Sequence, residues 1–83
     1  MQFEDIRRMG EAVLSKAHLG KRGVITKVRS GLLAAKMADL GLFAGNEIEV
    51  VFKAPLGDPL AVSVGGTVVS LRLEEAEWIT IRS

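Results

Sequence analysis

The sequence predicts a small, mainly β domain in which about five short strands curl into a barrel, with one α-helix inserted between the first two strands. Three observations carry that prediction. Apolar and polar residues alternate over "NEIEVVF", "LAVSV" and "WITIRS", the period of a half-buried strand. One run, "GLLAAKMADLGL", is instead rich in Ala, Leu, Met and Lys, which favour helix. Gly, Pro, Asn or Asp punctuate most gaps between the runs.

Residues 3–19 carry apolar side chains at Phe3, Ile6, Met9 and Val13, with Leu14 and Ala17 alongside. That spacing predicts a helix. Gly10 weakens it by about 1 kcal/mol relative to Ala, and Gly20 is a natural stop. A loose arm followed by one turn from Ser15 fits the same residues. Residues 1–13 are therefore read as an N-terminal extension, helical or partly disordered, and 14–83 as the domain.

The first barrel strand spans 22–30, with Val24, Ile25 and Val28 beside Thr26. In the helix over 31–42, Leu33, Met37 and Leu40 share one face, with Leu32 and Lys36 on a neighbouring one. Gly41 suits the left-handed residue that closes a helix, and Leu42 can fold back on the last turn. From Glu47 a strand alternates, placing Ile48, Val50 and Phe52 inward. Leu60, Val62 and Val64 repeat the pattern, Gly65-Gly66 is a two-residue hairpin signal, and "TVVSLRL" returns. "EEAE" makes a short turn or one turn of helix before a last strand with Ile79 and Ile81 inward.

Between the second and third of these strands lies "APLGDP". Pro55 fixes φ for the second position of a turn and Gly57 supplies positive φ. Asp58 precedes a proline, is held extended, and can accept a nearby backbone N–H in an Asx-turn. Pro59 lacks an N–H and is tolerated where a strand begins. These four residues have structural reasons. Leu56, at the loop tip, has none.

Composition excludes several functions. The 83 residues contain no Cys and one His. A disulfide scaffold, a thiolate metal centre and a thiol nucleophile are thereby ruled out, and a reducing, cytoplasmic setting fits. No apolar run approaches the ~18 residues of a membrane span, and "MQFEDIRRMGEAV" lacks the apolar core of a secretory signal. His18 stands in a basic stretch, "SKAHLGKR", and Glu74, Glu75 and Glu77 read as one solvated acidic turn. No phosphate-binding Gly-rich loop is present, so the chain is expected neither to bind nor to hydrolyse GTP. No metal or cofactor is expected. With one Trp, three Phe and no Tyr, an aromatic groove for proline-rich peptides is not expected either. Trp78 reads as a core or rim residue.

Net charge is +1 but polarised: residues 1–36 hold eight Lys/Arg against three Asp/Glu, and residues 37–83 three against seven. Arg22, Lys27 and Arg29 would be the phosphate contacts of a nucleic-acid-binding barrel, the alternative function for this fold. Near-neutral charge and few aromatics count against it.

Taken together, "LSKAHLGKRGVI", "DLGL-AGNEIEV" and "APLGDPLAVSVGGTVVSLRLEEA" resemble the FeoA family of small accessory proteins for bacterial ferrous iron transport. The resemblance covers roughly residues 14 to 82. It implies an SH3-like barrel in the cytoplasm, peripheral to the inner membrane through a FeoB-type membrane GTPase partner. It also links the fold to the C-terminal module of DtxR-type repressors, so a repressor-associated regulatory role belongs with the alternative. Residues 1–13 lie outside the family pattern. Where relatives often carry Arg-Arg-Leu, this chain has Lys36-Met37-Ala38, which leaves Lys36 as the basic contact. Leu32, Lys36 and Leu56 are the candidate partner-binding residues. Edge strands and the amphipathic first segment leave room for self-association.

Overall fold

The structure, a computed structural model, describes residues 10–83. Six strands form one antiparallel sheet: β1 (Glu11–Val13), β2 (Arg22–Val28), β3 (Glu47–Lys53), β4 (Leu60–Val64), β5 (Thr67–Leu71) and β6 (Ile79–Arg82). Their order across the sheet is β1-β6-β2-β3-β4-β5. Helix α1 (Leu32–Asp39) joins β2 to β3, and the four-residue helix α2 (Leu73–Ala76) joins β5 to β6. The sheet coils around Leu14, Ile25, Val50, Leu60, Val62, Ile79 and Ile81, all buried. Fully burying such a side chain contributes about 1.5–3 kcal/mol.

The expected strands and inserted helix are all present. The N-terminal segment differs. Residues 3–9 of the expected helix lie outside the described residues, but Glu11–Val13 is a strand paired with β6, and a single 3₁₀ turn follows at Leu14–Lys16. The apolar positions Val13, Leu14 and Ala17 fit helical spacing, yet Leu14 and Ala17 reach the core from a tight turn instead. Lys53 holds that turn: its Nζ donates to the carbonyls of Ala17 at 2.8 Å and Ser15 at 3.3 Å.

Two bulges reset the alternation. On β2 the register with β6 shifts between Ile25 and Lys27, so Ile25 is buried and Val28, three residues on, still packs against the core. On β3 it shifts between Val50 and Phe52. One extra residue in a strand turns the following side chain to the other face. Phe52, expected inward, is therefore 51% exposed.

Helix α1 ends as its sequence predicts. Gly41 has φ +92°, its N–H donates to Ala38 O at 3.0 Å, and the Leu42 N–H reaches back to Met37 O at 2.9 Å. Met37 and Leu42 are both buried, the apolar contact that accompanies this closure. Leu33 and Leu40, which share Met37's face by spacing, remain partly exposed: α1 lies on the core by one residue near its end.

Candidate functional site

The corner between β3 and β4 is a turn closed by the Gly57 N–H on Ala54 O at 2.7 Å, with a second bond from the Ala54 N–H to Pro59 O at 3.1 Å. Gly57 has φ +84°, so its role is as expected. The Asp58–Pro59 peptide is cis. The Asp58 carboxylate does not close a local Asx-turn. It accepts the Leu73 N–H at 3.3 Å, across fifteen residues, at the start of α2. The free N–H groups of a helix start favour an anionic acceptor. Glu75 adds to the same end by accepting the Arg72 N–H at 2.8 Å. The corner is thus tied to the β5–α2 junction, and Leu56 projects from it at 93% exposure.

Leu32 is the other apolar outlier, at 97% exposure in the first turn of α1. It borders an open hollow of about 330 Å³ lined by Arg29, Ser30, Leu33, Ala34 and Trp78. Trp78 is half-buried, packs on the core from its inner side, and forms the floor's aromatic wall. The Arg29 guanidinium carbon stands 5.4 Å from its ring centroid, and the Arg29 N–H donates to Trp78 O at 2.9 Å. A cation over an indole face at this distance is attracted by the ring quadrupole. Neither Leu56 nor Lys36 lines this hollow; Lys36 is exposed elsewhere on α1. The structure therefore groups Leu32 with Trp78 and Arg29. Sequence reasoning missed that grouping, although "WITIRS" pairing with "KVRS" in antiparallel strands contains the signal.

A second depression, an open groove of about 840 Å³, runs along β2 and β3 past Arg22, Val24, Asn46, Glu47 and Glu49. Arg22 and Glu49 cross it as an ion pair at 3.1 Å. Asn46 at its end is structural: its Nδ2 donates to Gly41 O at 2.8 Å and its Oδ1 accepts the Glu47 N–H at 3.1 Å. Nothing here resembles an acid–base or nucleophile constellation. Among the described residues no three of His, Cys, Asp and Glu come together as metal ligands would, and His18 is exposed. Of the residues that the nucleic-acid alternative would use, Arg22 is ion-paired at the start of β2, Lys27 is exposed near its end, and Arg29 stands over Trp78 just beyond it.

The FeoA domain family model matches residues 13–83. The chain belongs to the FeoA family. Among curated proteins, this FeoA chain is 36% identical over 69 residues to the Fe(2+) transport protein A/Fe(2+) transporter FeoB fusion protein of Porphyromonas gingivalis. The match takes in 82% of the FeoA chain but only 8% of the length of that relative. Among solved structures, zinc-complexed FeoA of Stenotrophomonas maltophilia, described as a prokaryotic SH3 domain protein, superposes with TM-score 0.74 at 32% identity, covering 84% of this chain and 88% of that one. The fold is accordingly SH3-like. A manganese-dependent transcriptional repressor shares it, with TM-score 0.80 at 16% identity over 88% of this chain and 41% of the repressor.

Proposed function

We propose that this FeoA chain is a non-enzymatic cytoplasmic accessory of ferrous iron uptake that binds the cytoplasmic part of a FeoB-type membrane GTPase. The observation that carries the reading is the relative in which a FeoA segment and a FeoB transporter are one polypeptide. Tethering of this kind raises the effective concentration of one segment at the other. Binding also fits a domain whose polar groove holds an ion pair rather than catalytic groups.

The contact surface in this reading is Leu32 with Lys36 on α1 and Leu56 at the corner. Leu32 and Leu56 are almost fully exposed, and each would lose apolar area to water-free contact in a complex, worth roughly 25 cal/mol per Å². Leu32 is the stronger anchor because Trp78 and Leu33 extend its apolar surface and Arg29 adds a fixed cation. The test is co-purification of the tagged chain with the cytoplasmic domain of the FeoB-type transporter from its own organism, together with ferrous iron uptake in cells lacking the chain. Stable co-purification and reduced uptake are expected. A chain that neither co-purifies with that domain nor alters uptake contradicts the proposal.

A further inference from the structure

The two edges of the sheet are treated differently. β1 is three residues long, and its Glu11 is ion-paired to Arg82 at 3.0 Å. Short strands and charges are the usual means of blocking an edge. β5, the opposite edge, has neither device. Among the described residues it pairs only with β4, and from Leu60 to Leu71 the hairpin carries no charged residue and no proline.

The register identifies which backbone groups β5 leaves open. Gly65 and Gly66, both at positive φ, close a two-residue hairpin between Val64 and Thr67. Such a hairpin closes on a hydrogen-bonded pair, and hydrogen-bonded pairs recur at every second residue. Val62–Val69 and Leu60–Leu71 are then bonded pairs, while the N–H and C=O groups of Val68 and Ser70 point away from β4. Among the described residues no other backbone group takes them. Val68 is also 65% exposed.

We infer that β5 is a homodimer interface, pairing antiparallel with β5 of a second copy about a two-fold axis at Val69. In that register Val68 of one copy faces Ser70 of the other, and each such pair exchanges both its N–H···O bonds. The strand is self-complementary for this arrangement. The open groups sit symmetrically on either side of Val69, and Val69 meets its own equivalent on the core-facing side. The nearest charge, Arg72, falls opposite Gly66 of the second copy rather than opposite another cation. On the outer face, the row Phe52–Ala61–Ser70 continues into Val68 of the second copy. The interface is separate from the Leu32 hollow and does not rest on it.

The absence of cysteine from the chain makes the register testable. Val69→Cys places two thiols on a non-hydrogen-bonded pair with Cα atoms about 4.5 Å apart, within disulfide range. Val68→Cys places them diagonally, at about 8 Å or more, beyond that range. Sedimentation velocity on the full chain from micromolar to millimolar concentration should show a monomer–dimer equilibrium. Oxidation should link Val69→Cys roughly tenfold or more faster than Val68→Cys. Ser70→Pro, which removes only an outward N–H, should weaken the dimer roughly tenfold or more. A wild-type chain that stays monomeric throughout, Val68→Cys linking as fast as Val69→Cys, or a folded Ser70→Pro variant that dimerises like wild type would each overturn the inference. If Ser70→Pro fails to fold, the two cysteine variants decide.

Discussion

The carboxylate of Asp58 accepts the backbone N–H of Leu73, 3.3 Å away. A residue that looks like part of a local turn is in fact the acceptor at the start of α2, and it fixes the corner that carries Leu56. Removing the acceptor frees a helix-start donor, a change that costs about 0.5–2 kcal/mol. Asp58→Ala is expected to lose about 1 kcal/mol in urea unfolding. Asp58→Asn, which keeps an acceptor oxygen, should lose less.

Lys53 offers a second test. Its ammonium serves the carbonyls of Ser15 and Ala17 in a partly buried position. Lys53→Met keeps most of the apolar stem but leaves both carbonyls without that donor. The expected loss is about 1–3 kcal/mol, with faster amide exchange concentrated at residues 14–17.

Gly23 lies where β2 meets β6. A Cβ there would stand 2.6 Å from the backbone carbonyl oxygen of Arg82, a contact that a backbone atom cannot relieve by rotating. Gly23→Ala is expected to separate the strands locally and cost about 1–3 kcal/mol. Gly20→Ala meets no neighbouring atom and should cost only the strain of its positive φ, about 1–2 kcal/mol. Thermal unfolding of both variants checks the ranking.

Much of the fold is written in the local pattern of the chain, and the rest depends on contacts distant in sequence. Strands β4 and β6 were legible because their alternation is unbroken, and β5 because Gly65-Gly66 signals a tight hairpin that turns the chain back along β4. The close of α1 was legible because Gly41 and Leu42 have specific geometric duties. β1 was not, since a three-residue strand has no period to read and Val13, Leu14 and Ala17 fit a helix equally well. Phe52 was misplaced because a bulge is set by the neighbouring strand's register, which a linear pattern does not contain. Asp58 found its acceptor role, but its donor is fifteen residues away. For the candidate site, Leu32 and Leu56 stood out as apolar residues without a structural duty. Trp78 and Arg29 did not, because only the β2–β6 pairing brings them beside Leu32.

Exposure also separates stability from binding. Leu32→Glu and Leu56→Glu alter side chains that are 97% and 93% exposed. Each should change folding stability by no more than about 0.5 kcal/mol. A larger loss, read by chemical unfolding, would mean that the side chain packs on its own domain.

Calorimetric titration of the wild-type chain and Leu32→Glu into the cytoplasmic domain of the FeoB-type transporter from the same organism reads the proposed docking without an intermediary. Saturable binding by wild type and roughly tenfold or greater weakening by Leu32→Glu with the fold intact are expected, the loss of one anchor residue. No heat of binding from the wild-type chain, or equal affinity from the two proteins, would contradict it.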